Sequence, residues 1–178
     1  MKIAFVGGTG PAGLGLGARL VRAGHDVAIG SRSEERARDA AAQIRTLAGE
    51  GSVTGDTNET VIPPADVVVL SVRADAQPET VRGLAGLLDG KIVLSMANPV
   101  AVAQGRLERA IDSDTIVTGD DAGAKEAIMT LCADVGVRPV DGGPLSNSRH
   151  VEAFVAVLVA INFRYKAGVS YRITGLPS

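Results

Sequence analysis

The stretch from Lys2 to Val21 limits the possible folds of this chain more than any other. A short apolar run of the β type, Lys2 to Val6, leads into a glycine-rich loop, and apolar side chains at helical spacing follow the loop. A loop of this kind between a strand and a helix is where dinucleotide-binding folds hold a pyrophosphate. The predicted nucleotide-binding loop comprises Gly8, Thr9, Gly10, Pro11, Ala12 and Gly13.

Each glycine of this loop has a predicted task. We expect Gly8 to allow the tight turn, Gly10 to let the backbone approach a pyrophosphate, and Gly13 to let the helix pack close to the strand. The free N–H groups of the first helical turn then face the phosphates.

The residues after the second predicted strand, His25 to Gly30, indicate which nucleotide is bound. Chains that select NAD usually carry Asp or Glu here, whereas an Arg accommodates a 2′-phosphate. This chain instead has Ser31, Arg32 and Ser33, and Arg36 lies one helical turn beyond Arg32. Because hydroxyl groups and guanidinium groups both donate to phosphate oxygens, we predict NADP(H).

The same segment also has a structural interpretation, which is compatible with NADP(H) binding. Ser31 to Glu34 matches a capping box, which would begin a helix from Ser33 to Ala48.

Strands and helices continue to alternate further along the chain. The apolar runs Asp66 to Val72 and Lys91 to Met96 predict strands buried on both faces of a parallel sheet. The pattern predicts an α/β fold, a Rossmann-type doubly wound and mostly parallel sheet with a C-terminal helix. The turns after these two strands should flank the nicotinamide, although ordinary connections would look similar. The cofactor-binding residues predicted there are Ser71, Val72, Asn98 and Pro99.

Composition excludes several classes of partner. The 178 residues carry a formal net charge of -2, so no basic surplus exists for nucleic acid. The longest apolar run, Ala153 to Ile161, is far shorter than the ~20 residues that span a bilayer. A single cysteine excludes an internal disulfide. We therefore expect a cytoplasmic protein that acts on a small molecule.

The second half of the chain carries a distinctive series of residues. A helix from Ala124 to Asp134 and a strand from Val137 to Val140 precede the run Asp141-Gly142-Gly143-Pro144-Leu145-Ser146-Asn147-Ser148-Arg149. Together with Gly7 to Gly10 and Ser31-Arg32, this series resembles the NADPH-dependent deazaflavin (coenzyme F420) reductases, or F420:NADP oxidoreductases. The resemblance covers two blocks, Met1 to Val100 and about Thr115 to Ala167.

The resemblance implies a dimeric, cytoplasmic oxidoreductase that transfers a hydride between NADP(H) and a deazaflavin stacked on the nicotinamide. It implies that Thr9 to Ala12 line the cofactor, that Ser31, Arg32 and Arg36 hold its 2′-phosphate, and that Val72, Asn98 and Pro99 border the reacting rings. Because the two cofactors carry the chemistry, we expect no catalytic side chain and no metal.

The chain departs from the family pattern on the acceptor side. Between Val100 and Thr115 a further strand and loop of the family are missing, and Val72 to Ala76 lack the family's typical aromatic and histidine side chains. The acceptor pocket is then open, or completed by a partner subunit, or the substrate has changed. Two alternatives stay open, namely NADPH-dependent reduction of another small acceptor (a flavin, a ferric chelate or an imine) and NADP(H) sensing without turnover.

The remaining reactive side chains have structural interpretations. We expect His25 to be a solvated turn residue, His150 to lie on the surface near the acceptor, and Cys132 to be a core residue. The carboxylates of Asp120 and Asp121 lack further ligands at metal spacing, so the charge preference of a helix N-terminus explains them better.

The last predicted helix, Val151 to Phe163, is apolar on nearly every face. Such a helix must be buried all round, so we expect a second subunit to cover it. We therefore divide the chain into an NADP-binding Rossmann-type domain, residues 1–145, and a C-terminal helix and tail, residues 146–178, for dimerisation and for covering the acceptor site.

Overall fold

The computed structural model describes residues 1–96 and 113–176, which belong to two compact units, Met1–Pro99 and Val100–Ser178. The first unit alternates strands and helices. Its elements are β1 (Lys2–Val6), α1 (Pro11–Arg22), β2 (Asp26–Ser31), α2 (Glu34–Ala48), β3 (Val53–Thr57), α3 (Asn58–Val61), β4 (Val67–Leu70), α4 (Gln77–Leu88) and β5 (Ile92–Ser95). The functional division predicted after residue 145 stays a prediction.

The five strands of the first unit form one parallel sheet in the order β3-β2-β1-β4-β5. The chain runs from β1 outward to β3 on one side, then returns to place β4 and β5 on the other. The order therefore reverses between β1 and β4, whose carboxyl ends are level because Val6 pairs with Leu70. An open α/β sheet binds its ligands in the crevice at this reversal. The predicted fold class is confirmed.

The core lies on both faces of β1 and β4. Every residue from Ile3 to Val6 and from Val67 to Leu70 is at most 2% exposed. Helices α1 and α2 pack closely, since a Cβ atom on Gly17 would lie 2.8 Å from Cδ1 of Ile44.

Strand β5 differs from the sequence expectation. The run from Lys91 to Met96 was expected to be buried on both faces, but Val93 is 43% exposed and the strand alternates between partly buried and exposed residues. Within the described part of the sheet, β5 is an edge strand that pairs with β4. The expectation is wrong because an apolar run does not reveal whether its strand lies at the centre or at the edge of the sheet.

The second unit contains a smaller β–α–β arrangement. Its elements are β6 (Asp114–Val117), α5 (Ala122–Asp134), β7 (Arg138–Asp141), a 3₁₀ turn (Leu145–Asn147) and α6 (Ser148–Tyr165). Strands β6 and β7 are parallel and form a sheet of their own.

The C-terminal tail folds back onto β6. The N–H of Asp114 donates to the carbonyl of Tyr171 at 3.0 Å, and the carboxylate of Asp114 accepts from the N–H of Ile173 at 2.5 Å. Arg138 donates to both carboxylate oxygens of Asp114, at 2.7 and 2.6 Å, and to the Ile173 carbonyl at 2.6 Å. The hydrogen bond from Arg138, aided by the one from Ile173, lowers the pKa of Asp114 to about 2.

Helix α6 exposes much of its apolar surface. None of its residues is buried, and its most exposed large side chains are Val157 (54%), Phe163 (60%) and Tyr165 (69%). Phe154 makes an edge-to-face contact with Tyr171 of the tail, with ring centroids 5.2 Å apart. Of the helices that the structure describes, none is both long and apolar enough to span a membrane.

Candidate functional site

The glycine loop begins with a left-handed turn at Gly7. The φ of Gly7 is 76°, its N–H donates to the Gly30 carbonyl at 3.0 Å, and the N–H of Thr9 donates to the Gly7 carbonyl at 2.8 Å. The φ of Gly8 is not positive. The bond from Thr9 to Gly7 closes a three-residue turn with Gly8 at its centre, directly after the left-handed residue Gly7, so the structure places Gly8 in the tight turn where the sequence predicted it.

Gly8 and Gly13 allow α1 to pack against the end of β1. A Cβ atom on Gly13 would lie 2.5 Å from the Gly8 carbonyl oxygen, and a Cβ atom on Gly8 would lie 2.7 Å from Cβ of Phe5. Phe5 is fully buried and a backbone carbonyl cannot rotate away, so neither position has room for a side chain. Gly13 thus packs closely against the backbone of Gly8 in the loop, and Gly8 in turn against Phe5 of β1.

Gly10 lies on the open side of the same loop. It is the N-cap of α1, with no side-chain cap, and a Cβ atom on it would meet nothing within 4 Å. The N–H of Leu14 donates to the Gly10 carbonyl at 2.9 Å, so the earlier N–H groups of Ala12 and Gly13 have no intrahelical acceptor. An uncapped helix N-terminus beside an unobstructed backbone is suited to a phosphate.

Two serines shape the turn after β2. Ser31 is the last residue of that strand, pairs with Thr57 and is 8% exposed, and its hydroxyl accepts from the N–H of Ser33 at 3.2 Å. Ser33 is the N-cap of α2, and its hydroxyl accepts from the N–H of Arg36 at 3.4 Å. The capping box from Ser31 to Glu34 is therefore wrong, because Ser31 stays in the sheet. Each hydroxyl acts here as an acceptor, so its own proton can be donated elsewhere.

The same turn carries two exposed arginines. Within the part of the chain that the structure describes, neither Arg32 nor Arg36 has a side-chain hydrogen bond or ion pair, whereas Glu34 pairs with Arg38. No carboxylate takes the position after β2 that binds ribose hydroxyls in NAD-selective sheets. The turn therefore carries two exposed guanidinium groups and two hydroxyls, all of which are able to donate to an anion.

Asn58 was not singled out by the sequence. It begins α3, is 7% exposed, and its Oδ1 atom has no hydrogen-bond partner in the described structure. A Cβ atom on Gly30 would lie 2.6 Å from this oxygen and 2.7 Å from the Phe5 carbonyl oxygen. The Asn58 side chain therefore packs against the backbone of Gly30, directly before the turn that carries Ser31 and Arg32. An Asn directly after a strand resembles an ordinary helix cap, so no sequence signal separates this role from capping.

The residues after β4 lie beside the start of the glycine loop. The N–H of Ser71 donates to the Val6 carbonyl at 2.9 Å, and a Cβ atom on Gly7 would lie 2.5 Å from Cγ1 of Val72. The structure therefore brings Ser71 and Val72 to the crevice between β1 and β4. Asn98 and Pro99, predicted for the same region, lie outside the described residues.

Beyond Val72 the chain makes a compact charged turn. Arg73 donates to the Asp75 carboxylate through Nε at 3.0 Å and through Nη2 at 2.7 Å, which lowers the pKa of Asp75. The carbonyl of Arg73 accepts from the N–H groups of Ala76 and Gln77, at 3.0 and 3.1 Å. The Gln77 amide donates to the Ser95 hydroxyl at 2.8 Å, which ties the turn to the end of β5.

His25 and His150 have different environments. His25 is 8% exposed and its Nδ1 lies 3.3 Å from the amino group of Met1, so the expectation of a solvated residue is wrong. The turn holds it inside, because its N–H donates to the Leu20 carbonyl at 3.1 Å. His150 is exposed, as expected, and accepts from Nε of Arg149 at 3.1 Å.

The other candidates are structural. Cys132 is half-buried, which raises the pKa of its thiol. Asp121 is the N-cap of α5 and accepts from the N–H of Ala124 at 2.7 Å, while Asp120 accepts from the N–H of Leu145 at 2.9 Å. Across residues 1–96 and 113–176, no three His, Cys, Asp or Glu side chains are grouped as metal ligands.

The strand order, the open helix N-terminus at Gly10 and the arginine-bearing turn after β2 define a dinucleotide-binding protein of the Rossmann type. Comparison with known proteins narrows this class. The model of the family described as coenzyme F420-dependent NADP oxidoreductase matches residues 2–99, and this chain belongs to that family.

Two curated relatives are similar over nearly their whole length. The F420-dependent NADP reductase of Methanocaldococcus jannaschii is 31% identical over 222 residues, with 99% of each chain covered. That of Methanothermobacter thermautotrophicus is 31% identical over 223 residues, covering 99% of this chain and 96% of the relative. An alignment of 222 residues exceeds the 178 residues of this chain by 44, so at least 44 aligned positions have no counterpart here. This difference agrees with the expected absence of a strand and loop.

Solved structures share the fold. A protein from Arthrobacter sp. FB24, described as a candidate F420-dependent NADP reductase, superposes with a TM-score of 0.80 at 24% identity, covering 98% of this chain and 100% of that one. An imine reductase from Myxococcus stipitatus in complex with NADP+ gives 0.69 at 14% identity, covering 93% of this chain and 62% of that one.

Proposed function

We propose that this chain binds NADP(H) at the loop from Gly8 to Gly13 and transfers a hydride between its nicotinamide and coenzyme F420. The observation that carries the proposal is the open, uncapped N-terminus of α1 at Gly10, in a chain that belongs to the F420-dependent NADP oxidoreductases. The relatives' names supply the acceptor.

The residues present fit a bound dinucleotide. The N–H groups of Ala12 and Gly13 bind the pyrophosphate, and the missing side chain of Gly10 leaves room for its approach. At the other end of the nucleotide, Ser31, Arg32 and Arg36 bind the 2′-phosphate. Asn58 packs against Gly30, one residue before Ser31, and so helps to hold this turn in place.

The nicotinamide end lies on the opposite side of the reversal in strand order. The bound nucleotide supplies the hydride chemistry, so the protein positions the rings and excludes water. Val72, which packs against Gly7, forms an apolar border there. Transfer requires the two reacting carbons about 3 to 3.5 Å apart, which rigid borders of this kind help to maintain.

The absorbance of NADPH, followed with coenzyme F420 and separately with FMN, tests this function. We expect oxidation of NADPH by F420, and loss of that activity in Gly10→Val. Oxidation by FMN alone would contradict the deazaflavin assignment. Binding of NADPH without oxidation by any acceptor would contradict an enzymatic role and favour a sensor.

A second candidate is reduction of another small acceptor, such as a flavin, a ferric chelate or an imine, at the same nucleotide site. It is favoured by the 44 or more positions of the relative that this chain lacks. The FMN arm of the assay, repeated with an imine and a ferric chelate, distinguishes this candidate.

The same proposal places the protein in the cytoplasm, where NADP(H) is available. It also includes a homodimer formed through α6. Support for the dimer comes from Val157, Phe163 and Tyr165, which leave a large apolar surface exposed in the single chain. Light scattering should give about twice the chain mass of 18.2 kDa. Phe163→Asp should shift the mass toward one chain, and a wild-type monomer at micromolar concentration would contradict the dimer.

A further inference from the structure

The strand order separates the two ends of the nucleotide. In the proposed function, Ser31 at the end of β2 and Arg32 directly after it bind the phosphate end, on one side of the reversal. In the same proposed function, the nicotinamide and the hydride acceptor lie at the carboxyl ends of β4 and β5, on the other side of the reversal in strand order. The described residues at those two ends are 71–77 and 95–96, and Arg73 is the one Lys or Arg among them.

The Arg73 guanidinium is held in a defined direction and keeps hydrogen-bond donors that Asp75 does not use. Its carbonyl accepts two backbone N–H groups, at 3.0 and 3.1 Å, so the turn that carries it is fixed. Asp75 takes two of the five guanidinium N–H groups. The three N–H groups that remain are directed away from Asp75, and the Arg73 side chain is 85% exposed.

Stability alone explains this ion pair poorly. The two side chains are 85% and 64% exposed, and pairs of this kind contribute little to folding. An arginine fixed by one carboxylate, with a free guanidinium edge, is instead a preorganised receptor for a phosphate or a second carboxylate.

Resting on the proposed function, we propose that Arg73 binds the anionic side chain of the deazaflavin acceptor and that Asp75 orients its guanidinium. Coenzyme F420 carries a phosphodiester and glutamate carboxylates on that side chain. The deazaflavin chromophore with its ribityl chain alone carries neither. Arg73 thus determines specificity for the acceptor and does not take part in hydride transfer.

The test compares the binding of these two deazaflavins to the NADP+-saturated protein, followed by their fluorescence. In Arg73→Gln the Kd for F420 should rise about tenfold, the effect of one lost charge-assisted contact, while the Kd for the phosphate-free chromophore stays unchanged. Arg73→Lys keeps the charge but loses the planar fork, and should give a smaller rise of about threefold. Arg82→Gln removes another exposed arginine, on α4, and should change neither value.

The outcomes are distinct. An unchanged F420 Kd in Arg73→Gln, or equal weakening of both deazaflavins, overturns the proposal, as does wild-type protein that binds the two equally. Binding is measured without turnover, so a wild-type protein that binds F420 through Arg73 but does not reduce it overturns the proposed function alone. Added salt should weaken F420 binding more in the wild type than in Arg73→Gln.

Discussion

Replacing Gly10 by valine should separate nucleotide binding from folding. The backbone of Gly10 has φ of -94° and ψ of 171°, which any residue adopts, and a Cβ atom there would meet nothing within 4 Å. Valine is a poorer N-cap than glycine by a few tenths of a kcal/mol to about 1 kcal/mol, and a stiffer unfolded chain offsets part of that loss. The free energy of unfolding should therefore change by less than about 1 kcal/mol, or about 2 to 4 °C in Tm.

Binding should change far more. The valine side chain would occupy the approach to the N–H groups of Ala12 and Gly13. Each charge-assisted hydrogen bond to a phosphate contributes about 1.5 to 3 kcal/mol, so losing two costs about 3 kcal/mol or more. This corresponds to at least about a hundredfold rise in the Kd for NADPH.

Calorimetric titration with NADPH and a thermal melt of the same sample measure both quantities. Gly13→Ala is the matched control, because its Cβ atom would lie 2.5 Å from the Gly8 carbonyl oxygen and should lower the Tm strongly. Undiminished NADPH affinity in Gly10→Val would refute the assignment of the loop. A Gly13→Ala protein as stable as the wild type would refute the packing argument.

Three further predictions concern other parts of the chain. Arg32→Ala should weaken NADPH binding by about 1.5 to 3 kcal/mol and leave NADH binding unchanged by titration, and equal effects would contradict the 2′-phosphate assignment. The pKa of Asp114 is lowered from 3.8 to about 2 in the folded chain, so its stabilising effect is complete above pH 4 and is lost as the pH falls toward 2. Thermal melts across this range should show that loss in the wild type and a smaller one in Asp114→Asn. Gly55→Ala should destabilise the fold, since its Cβ atom would overlap the Ala37 carbonyl, whereas Gly83→Ala, in an open position of α4, should stabilise it by about 0.5 to 1 kcal/mol in chemical unfolding.

The parts of the fold that could be predicted from sequence are those set by local patterns. The glycine loop and the buried runs of β1 and β4 need no knowledge of distant residues, because strand, loop and helix follow one another directly. The exposure of Val93 could not be predicted, since it depends on β5 being the edge strand of the sheet that the structure describes. The burial of His25 likewise depends on where the turn places it relative to Met1.

The same distinction holds within the site. Residue types at fixed spacing predicted a turn after β2 that carries Ser31, Arg32 and Arg36, and the structure has that turn at the start of α2. Its binding of the 2′-phosphate stays a prediction. Residue types at fixed spacing did not predict the left-handed conformation of Gly7, because it depends on Val72 and Gly30, which are remote in sequence. Asn58 was missed for a related reason, since its significance arises from contact with Gly30 across two strands.

The distribution of the site along the chain explains how a family member can be so much shorter than its relatives. The predicted nucleotide contacts from Gly8 to Val72 lie in the first unit, within residues 2–99 that the family model matches. These contacts are made by the backbone N–H groups at the start of α1 and by the turn after β2. They therefore require only the first four strands and the helices between them. In our proposal, the acceptor instead binds at the ends of β4 and β5, where the exposed guanidinium of Arg73 holds its anionic side chain without an enclosing wall. Compared with its longer relatives, this chain should therefore bind the acceptor more weakly and reduce it more slowly. Its affinity for NADPH should be the same as theirs.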